Sequence, residues 1–425
     1  MNPRKVLPLT DFRDPHLKPL GHLSVTVTVF YHKYYYENTC FCANVFFVCH
    51  LYGEFVLNKN VNLIVGAGFS GAVIARLLAD DGESVVVIDK KNHIAGNSYD
   101  YRDENNIMIH KYGSHIFHTS NEKVWNFLKR FTAFNQYMHK VIAIIDGIPT
   151  TIPFNFNTLY DVFPFTMARK MEEKLLAKFE YNKKVPILEF QKQDDEDLKF
   201  LANYVYEKIF LHYTTKQWGV SPKDVDGAVT ARVPVYLSKD NRYFQDKYQG
   251  IPLNGYTKVV ENILKHKNIE LKLNTEFKKE MLEKYSRVFY TGPIDEFFDY
   301  KYGELPYRSV NFKLETYDRE YYQQNACVNY PCNYDFTRIH EYKYYLNDKS
   351  PKTVIAKEYS EFFERGKNER YYPIPNPKNS ELYNKYAEEA KKLDNFYFLG
   401  RLGDYKYYDM DKAILRALDL FEEIK

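Results

Sequence analysis

Residues 61–78, VNLIVGAGFSGAVIARLL, set three glycines at G-x-G-x-x-G spacing between a short apolar run and a stretch with apolar residues at helical intervals. The pattern is restrictive because each glycine answers a separate steric demand of a strand–turn–helix unit. Gly66 permits the tight turn, Gly68 lets a pyrophosphate approach the backbone, and Gly71 lets the helix lie close on the strand. Val73, Ile74, Leu77 and Leu78 give that helix its buried face, and its N-terminus offers unpaired amides and a dipole to phosphate oxygens. A second strand, SVVVID at 84–89, ends in Asp89, 18 residues after Gly71, where a carboxylate can accept hydrogen bonds from a ribose diol. The spacing predicts an α/β, Rossmann-like dinucleotide-binding domain. The competing reading is a glycine-rich turn in an unrelated α/β unit.

The residues after Asp89 favour FAD over NAD. KKNHIAGNSYD at 90–100 adds a second glycine turn, Gly96-Asn97, directly behind the ribose-binding strand, whereas an NAD domain usually runs straight on to another helix and strand. Near the other end, NFYFLGRLGDYKYYDMDKAILRAL (395–418) reads as a strand ending at Gly400, a loop, and a helix entered around Asp409 to Lys412. Arg401 and that helix N-terminus are available for flavin or phosphate oxygens, so the nucleotide domain is discontinuous in sequence. Between these ends, Val124, Phe127, Leu128 and Phe131, and then Leu198, Leu201, Val205 and Ile209, recur at helical intervals. Segments 137–154, 309–317 and 370–375 are rich in β-branched or aromatic residues and read as strands. Residues 255–275 read as a helix and a strand returning to the nucleotide domain.

A length of 425 residues predicts about three domains. The formal charge of +3, from 59 basic and 56 acidic residues, gives no support to a nucleic-acid partner. Five cysteines (Cys40, Cys42, Cys49, Cys327 and Cys332) fall in two distant groups that form neither a disulfide framework nor a zinc pattern, so no metal is expected. Asn44, His50 and Glu54 interrupt the aromatic run at 39–57, which is therefore not read as a membrane span, and Asp11 and Asp14 spoil a signal sequence. A cytoplasmic location is expected.

In order after the fingerprint come GSHIFHT (113–119), YTTKQWG (213–219), NRYFQDKYQGIP (241–252), TRIHEYK (337–343), RYYPIP (370–375) and GRLGDYKYYDMD (400–411). With these motifs the chain, from about residue 60 to 425, closely resembles the UDP-galactopyranose mutases, and residues 1–58 form an extension outside the match. The resemblance implies an FAD enzyme that interconverts UDP-galactopyranose and UDP-galactofuranose reversibly, with no net redox change, through an adduct of reduced flavin N5 with the sugar anomeric carbon. It implies a homodimer and an external reductant such as NADH or NADPH. It also implies a division into FAD-binding parts at 59–135, 250–305 and 376–425, an antiparallel β-sheet domain at 136–154 and 306–375, a helical domain at 155–220, and a mobile substrate loop with sheet at 221–249.

By the same resemblance Arg232 and Arg338 hold the diphosphate, a role suited to the guanidinium fork. Tyr243, Tyr372 and Tyr407 reach it with their hydroxyls, although a chain with 40 tyrosines gives most of them to packing. Phe210, Tyr213, Thr214 and Trp218 match a uridine pocket, the alternative being a core cluster at a helix end. His115 and His118 are expected beside the flavin, with His118 orienting the sugar or answering the redox state; the alternative is a structural histidine. Asp409 is expected on the flavin or sugar side, or else as a helix cap. The expected cofactor set is Gly66, Gly68, Phe69, Ser70, Gly71, Asp89, Lys90, Gly96, Asn97, His115, Gly400, Arg401, Asp409 and Met410. Two departures stand out: Ser114 occupies a position more commonly proline, and Ala95 one often glycine, the latter expected to matter little beside Gly96. Two rival functions remain at this level: a flavin oxidoreductase of the amine-oxidase kind, and a sugar-nucleotide-binding protein with an inert flavin.

Overall fold

The computed structural model describes residues 61–219, 234–374 and 376–425. The extension 1–58 with its aromatic run and three cysteines, Arg232 with the start of segment 221–249, and Pro375 lie outside the described residues.

The apolar runs become a five-stranded sheet in the order Ile269–Lys272, Ser84–Ile88, Val61–Val65, Arg287–Tyr290, Phe396–Phe398. Every neighbouring pair is parallel. Parallel strands need coverage on both faces, which explains why SVVVI and VNLIV are near-continuously apolar rather than alternating. The helix Phe69–Asp80 packs on one face through Val73, Ile74 and Leu78, all without solvent exposure, together with the helices Gly255–Leu264 and Met410–Ile424. Three stretches of chain far apart in sequence thus build one core, and their ends gather at one rim of the sheet.

A second sheet has seven strands in the order Tyr372–Pro373, Tyr307–Tyr317, Thr353–Phe362, Arg338–Glu341, Cys327–Asn329, Val141–Ile145, Ile148–Ile152. As expected, the sheet is antiparallel, with one exception among its neighbouring pairs. Cys327–Asn329 and Val141–Ile145 pair in parallel, because the chain enters the sheet twice, the second time after the whole helical segment. That segment contains the helices Phe156–Val162, Phe165–Lys178, Ile187–Phe190 and Glu196–Val205, a π-helical turn at Tyr206–Leu211, and His212–Trp218. It packs on the Val141–Ile152 edge of the sheet through Phe154, Phe156, Leu201 and Val205. Among the described residues no helix is long and apolar enough to cross a membrane.

Candidate active site

A cleft of ≈770 Å³ opens at the rim where the strand ends gather, and all fourteen residues expected at the cofactor line it. Its floor is built by steric exclusion. Gly66 sits at φ +106°, and a Cβ on Gly71 would come within 1.9 Å of the Gly66 carbonyl oxygen, so helix and strand touch backbone to backbone. Gly400, at φ +83°, closes the third chain segment onto the first, since a Cβ there would lie 2.9 Å from Ser70 Oγ. Asp89 accepts from the Ala67 amide at 2.8 Å and the Lys91 amide at 2.9 Å, one through each carboxylate oxygen. Each oxygen keeps lone-pair capacity for a ribose hydroxyl. The N-termini of the helices Phe69–Asp80 and Met410–Ile424 both border the cleft, where their unpaired amides favour anionic groups.

Ala95 corrects one expectation. It adopts the left-handed conformation, φ +69°, which costs a residue with a Cβ about 1–2 kcal/mol, so the change from glycine is borne here as strain. Asp409 occupies the N-cap position of the final helix, where its carbonyl accepts from the Ala413 amide at 3.0 Å but its side chain makes no capping bond.

The two histidines part company. His115 lines the cleft, and its Nδ1 lies 2.7 Å from the Gly113 carbonyl, which can only accept. Burial first, then neighbouring His110, holds it neutral, down to about 3, so Nε2 is an acceptor. His118 lines neither this cleft nor the smaller cavity described next. Its ring is stacked on Phe244 at 3.6 Å, and its Nδ1 is 2.8 Å from Asp246 Oδ2, a contact that lowers the Asp246 carboxyl to about 2.

A second cavity, of ≈80 Å³, is lined by Phe210, Tyr213, Thr214, Trp218 and Tyr243 with Asn329 and Ile152 among others. Phe210 lies inside the π-helical turn, whose extra residue shifts the helical phase between Glu196–Val205 and His212–Trp218. Arg308, from the sheet, donates to the carbonyls of Lys216 (3.0 Å) and Gln217 (2.9 Å), satisfying orphan acceptors at the helix end and fixing Trp218 against the sheet. Tyr372 and Tyr407 line neither cavity, but their rings, 5.1 Å apart, touch residues of both. Trp218 meets Tyr407 edge-on at 5.6 Å, while the Arg401 guanidinium, at the cleft, lies 5.1 Å from the Tyr372 ring.

Arg338 stands beside the second cavity, 5.6 Å from the Tyr213 ring, with Nη2 3.3 Å from Gln217 Oε1 and Nε 3.2 Å from Glu358 Oε1. Burial works to raise Glu358, but Arg338 and His340 together bring it down to about 2. The sequence reading missed Glu358, Asp246 and Gln217. Asp246 and Gln217 sit inside motifs already singled out, NRYFQDKYQGIP and YTTKQWG. Glu358 lies in an unremarkable strand, and only its register opposite Arg338 reveals it.

The buried imidazoles give a pH dependence. His110 is 1% exposed and His139 6%, and burial holds each neutral, down to about 3 from an ordinary 6.5. Between these values the unfolded chain binds more protons than the folded one, so stability rises with pH across that window and is lost as pH falls through it. Glu358, held down to about 2 from 4.5, acts in the same direction below pH 4.5. His340, held up to about 9, contributes fully below pH 6.5 and fades as pH rises to 9. The expected outcome is a melting temperature that falls steeply as pH drops below about 6. A flat profile from pH 7 to 4 would contradict it.

The UDP-galactopyranose mutase family model matches residues 208–407, and an NAD(P)-binding Rossmann-like model matches 64–131. A probable UDP-galactopyranose mutase of Klebsiella pneumoniae is 41% identical over 371 residues, 86% of this chain and 94% of the relative. A dTDP-fucopyranose mutase of Escherichia coli is 37% identical over 85% of this chain and 97% of its own. Among solved structures, a reduced UDP-galactopyranose mutase superposes with a TM-score of 0.64 at 16% identity, covering 86% of this chain and 95% of that one, a likeness of fold.

Proposed function

The chain belongs to the UDP-galactopyranose mutase family and is an isomerase, and from that premise we propose that it interconverts UDP-α-D-galactopyranose and UDP-α-D-galactofuranose, with FAD in the cleft and no net redox change. One observation carries the reading: the rings of Tyr372 and Tyr407 connect Trp218 of the aromatic cavity to Arg401 of the nucleotide cleft, with Arg338 beside the aromatic cavity. A uridine diphosphate seated in the aromatic cavity would direct its sugar toward the cleft.

The cleft fits FAD on its own terms. Its glycine floor excludes side chains where a pyrophosphate must lie, Asp89 is oriented for a ribose, and two helix N-termini face the cleft. Reduced flavin, when bound, supplies at N5 a nucleophile for the sugar anomeric carbon, with NADH or NADPH as the external reductant. Arg338 and, from the residues outside the description, Arg232 hold the diphosphate and stabilise the charge that grows on it as the glycosidic bond breaks. Tyr372 and Tyr407 add hydroxyl donors to the same oxygens, and Phe210 and Trp218 offer faces to uracil. Neutral His115 presents an acceptor toward the flavin. The enzyme works as a homodimer.

The test is chromatographic: the purified protein is incubated with UDP-galactofuranose, with and without dithionite, and UDP-galactopyranose is followed. Conversion only under reduction is the expected result. A parallel incubation with the furanose form of dTDP-fucose addresses the second relative, and faster turnover there would replace the UDP-galactose assignment. Substrate-dependent reduction of the flavin with net oxidation of the sugar would restore the oxidoreductase reading. UDP binding without turnover, with flavin present and reduced, would restore the inert binder.

A further inference from the structure

Behind Arg338 the protein buries a string of polar side chains that the proposed chemistry leaves unused. Glu358, 6% exposed, accepts through Oε1 from Thr337 Oγ1 at 3.1 Å and faces His340 Nε2 through Oε2 at 3.1 Å. The other imidazole nitrogen, Nδ1, is 3.4 Å from the Tyr345 hydroxyl, which donates to Ser114 Oγ at 2.7 Å. Ser114 stands between Gly113, whose carbonyl accepts from His115 Nδ1, and His115 itself, which lines the nucleotide cleft. The string therefore runs from the diphosphate arginine, across two sheet strands and the short helix Lys343–Leu346, to the loop at the other site.

Two features argue against mere packing. His340 is 3% exposed and Tyr345 1%, and polar groups buried this deeply are retained at a cost unless each is bonded. The bonds also have one consistent direction. With the Tyr345 hydroxyl donating to Ser114 Oγ, it accepts from His340 Nδ1 while Nε2 donates to Glu358, and the imidazole in this arrangement is a cation between a carboxylate and a hydroxyl. That charge agrees with its surroundings: against burial, Cys327, its cross-strand neighbour, and Glu358 hold His340 up to about 9, with Arg338, His110 and His139 as the other titratable groups nearby. A diphosphate that draws the Arg338 fork toward itself removes one of the two cations on Glu358. The carboxylate then leans on His340 alone, and the contact to Tyr345, the longest of the string, is where a ring displacement is felt.

We propose that His340 and Tyr345 are positioning residues that couple occupancy of the diphosphate site at Arg338 to the placement of the Gly113–His115 loop against the flavin, an inference that rests on the UDP-sugar and FAD reading above. The coupling is reciprocal: if UDP changes how that loop meets the flavin, oxidised and reduced protein must differ in UDP affinity by the same factor that UDP shifts the flavin equilibrium.

The experiment measures UDP dissociation constants for oxidised and dithionite-reduced holoprotein, and the flavin midpoint potential with and without saturating UDP, in wild type, Tyr345→Phe and Ser114→Ala. In wild type the two constants are expected to differ about fivefold or more; a tenfold ratio corresponds to about 30 mV for a two-electron couple. Both variants are expected to bring the ratio to within about twofold of one and to abolish the potential shift, while still binding UDP in the oxidised state. Two chemically mild changes at different residues guard against misfolding of either one. A wild-type ratio retained in both variants, or equal affinities in wild type itself, overturns the inference and leaves the mutase reading standing. Failure of wild type to bind UDP overturns both.

Discussion

Arg338→Ala is expected to lower kcat/KM by about 10²–10³-fold, the range seen when one preorganised donor to a developing anion is removed. The same change should destabilise the protein, because Glu358, 8% exposed at its side chain, loses the guanidinium 3.2 Å away. Stripping one partner from a buried pair costs about 3–5 kcal/mol. Two facts place this case at or below the lower end, about 2–3 kcal/mol: Arg338 itself is 25% exposed, and His340 remains on the other carboxylate oxygen. Arg338→Lys separates the two effects. It keeps a charge near Glu358 and recovers much of the stability, but a point charge cannot reproduce the fork toward two phosphate oxygens, so most of the kinetic loss should persist. Steady-state kinetics and urea midpoints on the same preparations decide the matter. Wild-type kcat/KM in Arg338→Ala would remove Arg338 from the diphosphate site, and an unchanged midpoint would mean that Glu358 does not depend on it.

Legibility in the sequence followed how local each constraint is. The glycine turn, its strand and helix, and Asp89 form one short stretch whose spacing has a steric cause at every position, and the structure gathers all of them at the cleft. Gly400, Arg401 and Met410 were legible for a weaker reason: a strand, a loop and a helix in the right order say that a segment returns, and the motif GRLGDYKYYDMD says where. What stayed hidden is set by pairing across sequence distance. Nothing around Glu358 distinguishes it from any acidic residue in an alternating strand, and its role exists only because Arg338↔Glu358 is the antiparallel register. The parallel pair within the second sheet was hidden likewise, since strand direction depends on how the chain re-enters after the helical segment. His118 shows how a local contact can redirect a side chain that a motif singles out. A motif placed it near the cleft, but alternation along the Phe117–Thr119 strand and the ring of Phe244 turn it to Asp246 instead.

Gly71→Ala is expected to yield protein that does not retain flavin through gel filtration, and that is several kcal/mol less stable than wild type if it accumulates at all. The argument is geometric. The added Cβ would lie 1.9 Å from the Gly66 carbonyl oxygen and 3.1 Å from Ile64 Cγ2, so both obstacles belong to the strand and turn under the helix. A clash with the far end of a flexible side chain can relax by a rotamer change, but one with a backbone carbonyl can relax only by lifting the helix. Lifting the helix Phe69–Asp80 unpacks Val73, Ile74 and Leu78 from a core in which each is fully buried, at about 1.5–3 kcal/mol per side chain exposed, and overpacking alone costs about 1–3 kcal/mol. It also moves the helix amides from the phosphate position, so cofactor affinity and stability fall together. Gly82→Ala is the contrasting control: Gly82 has a left-handed backbone, φ +93°, which helical Gly71 does not, but a Cβ there meets nothing within 4 Å. Its cost is the conformational one alone, about 1–2 kcal/mol, and its flavin content should equal wild type. The ratio of flavin to protein absorbance after gel filtration, read with the melting temperature, distinguishes the outcomes. Full flavin occupancy in Gly71→Ala would show that the helix can rise without cost, and would remove the backbone contact at Gly66 as the reason this chain needs its third glycine.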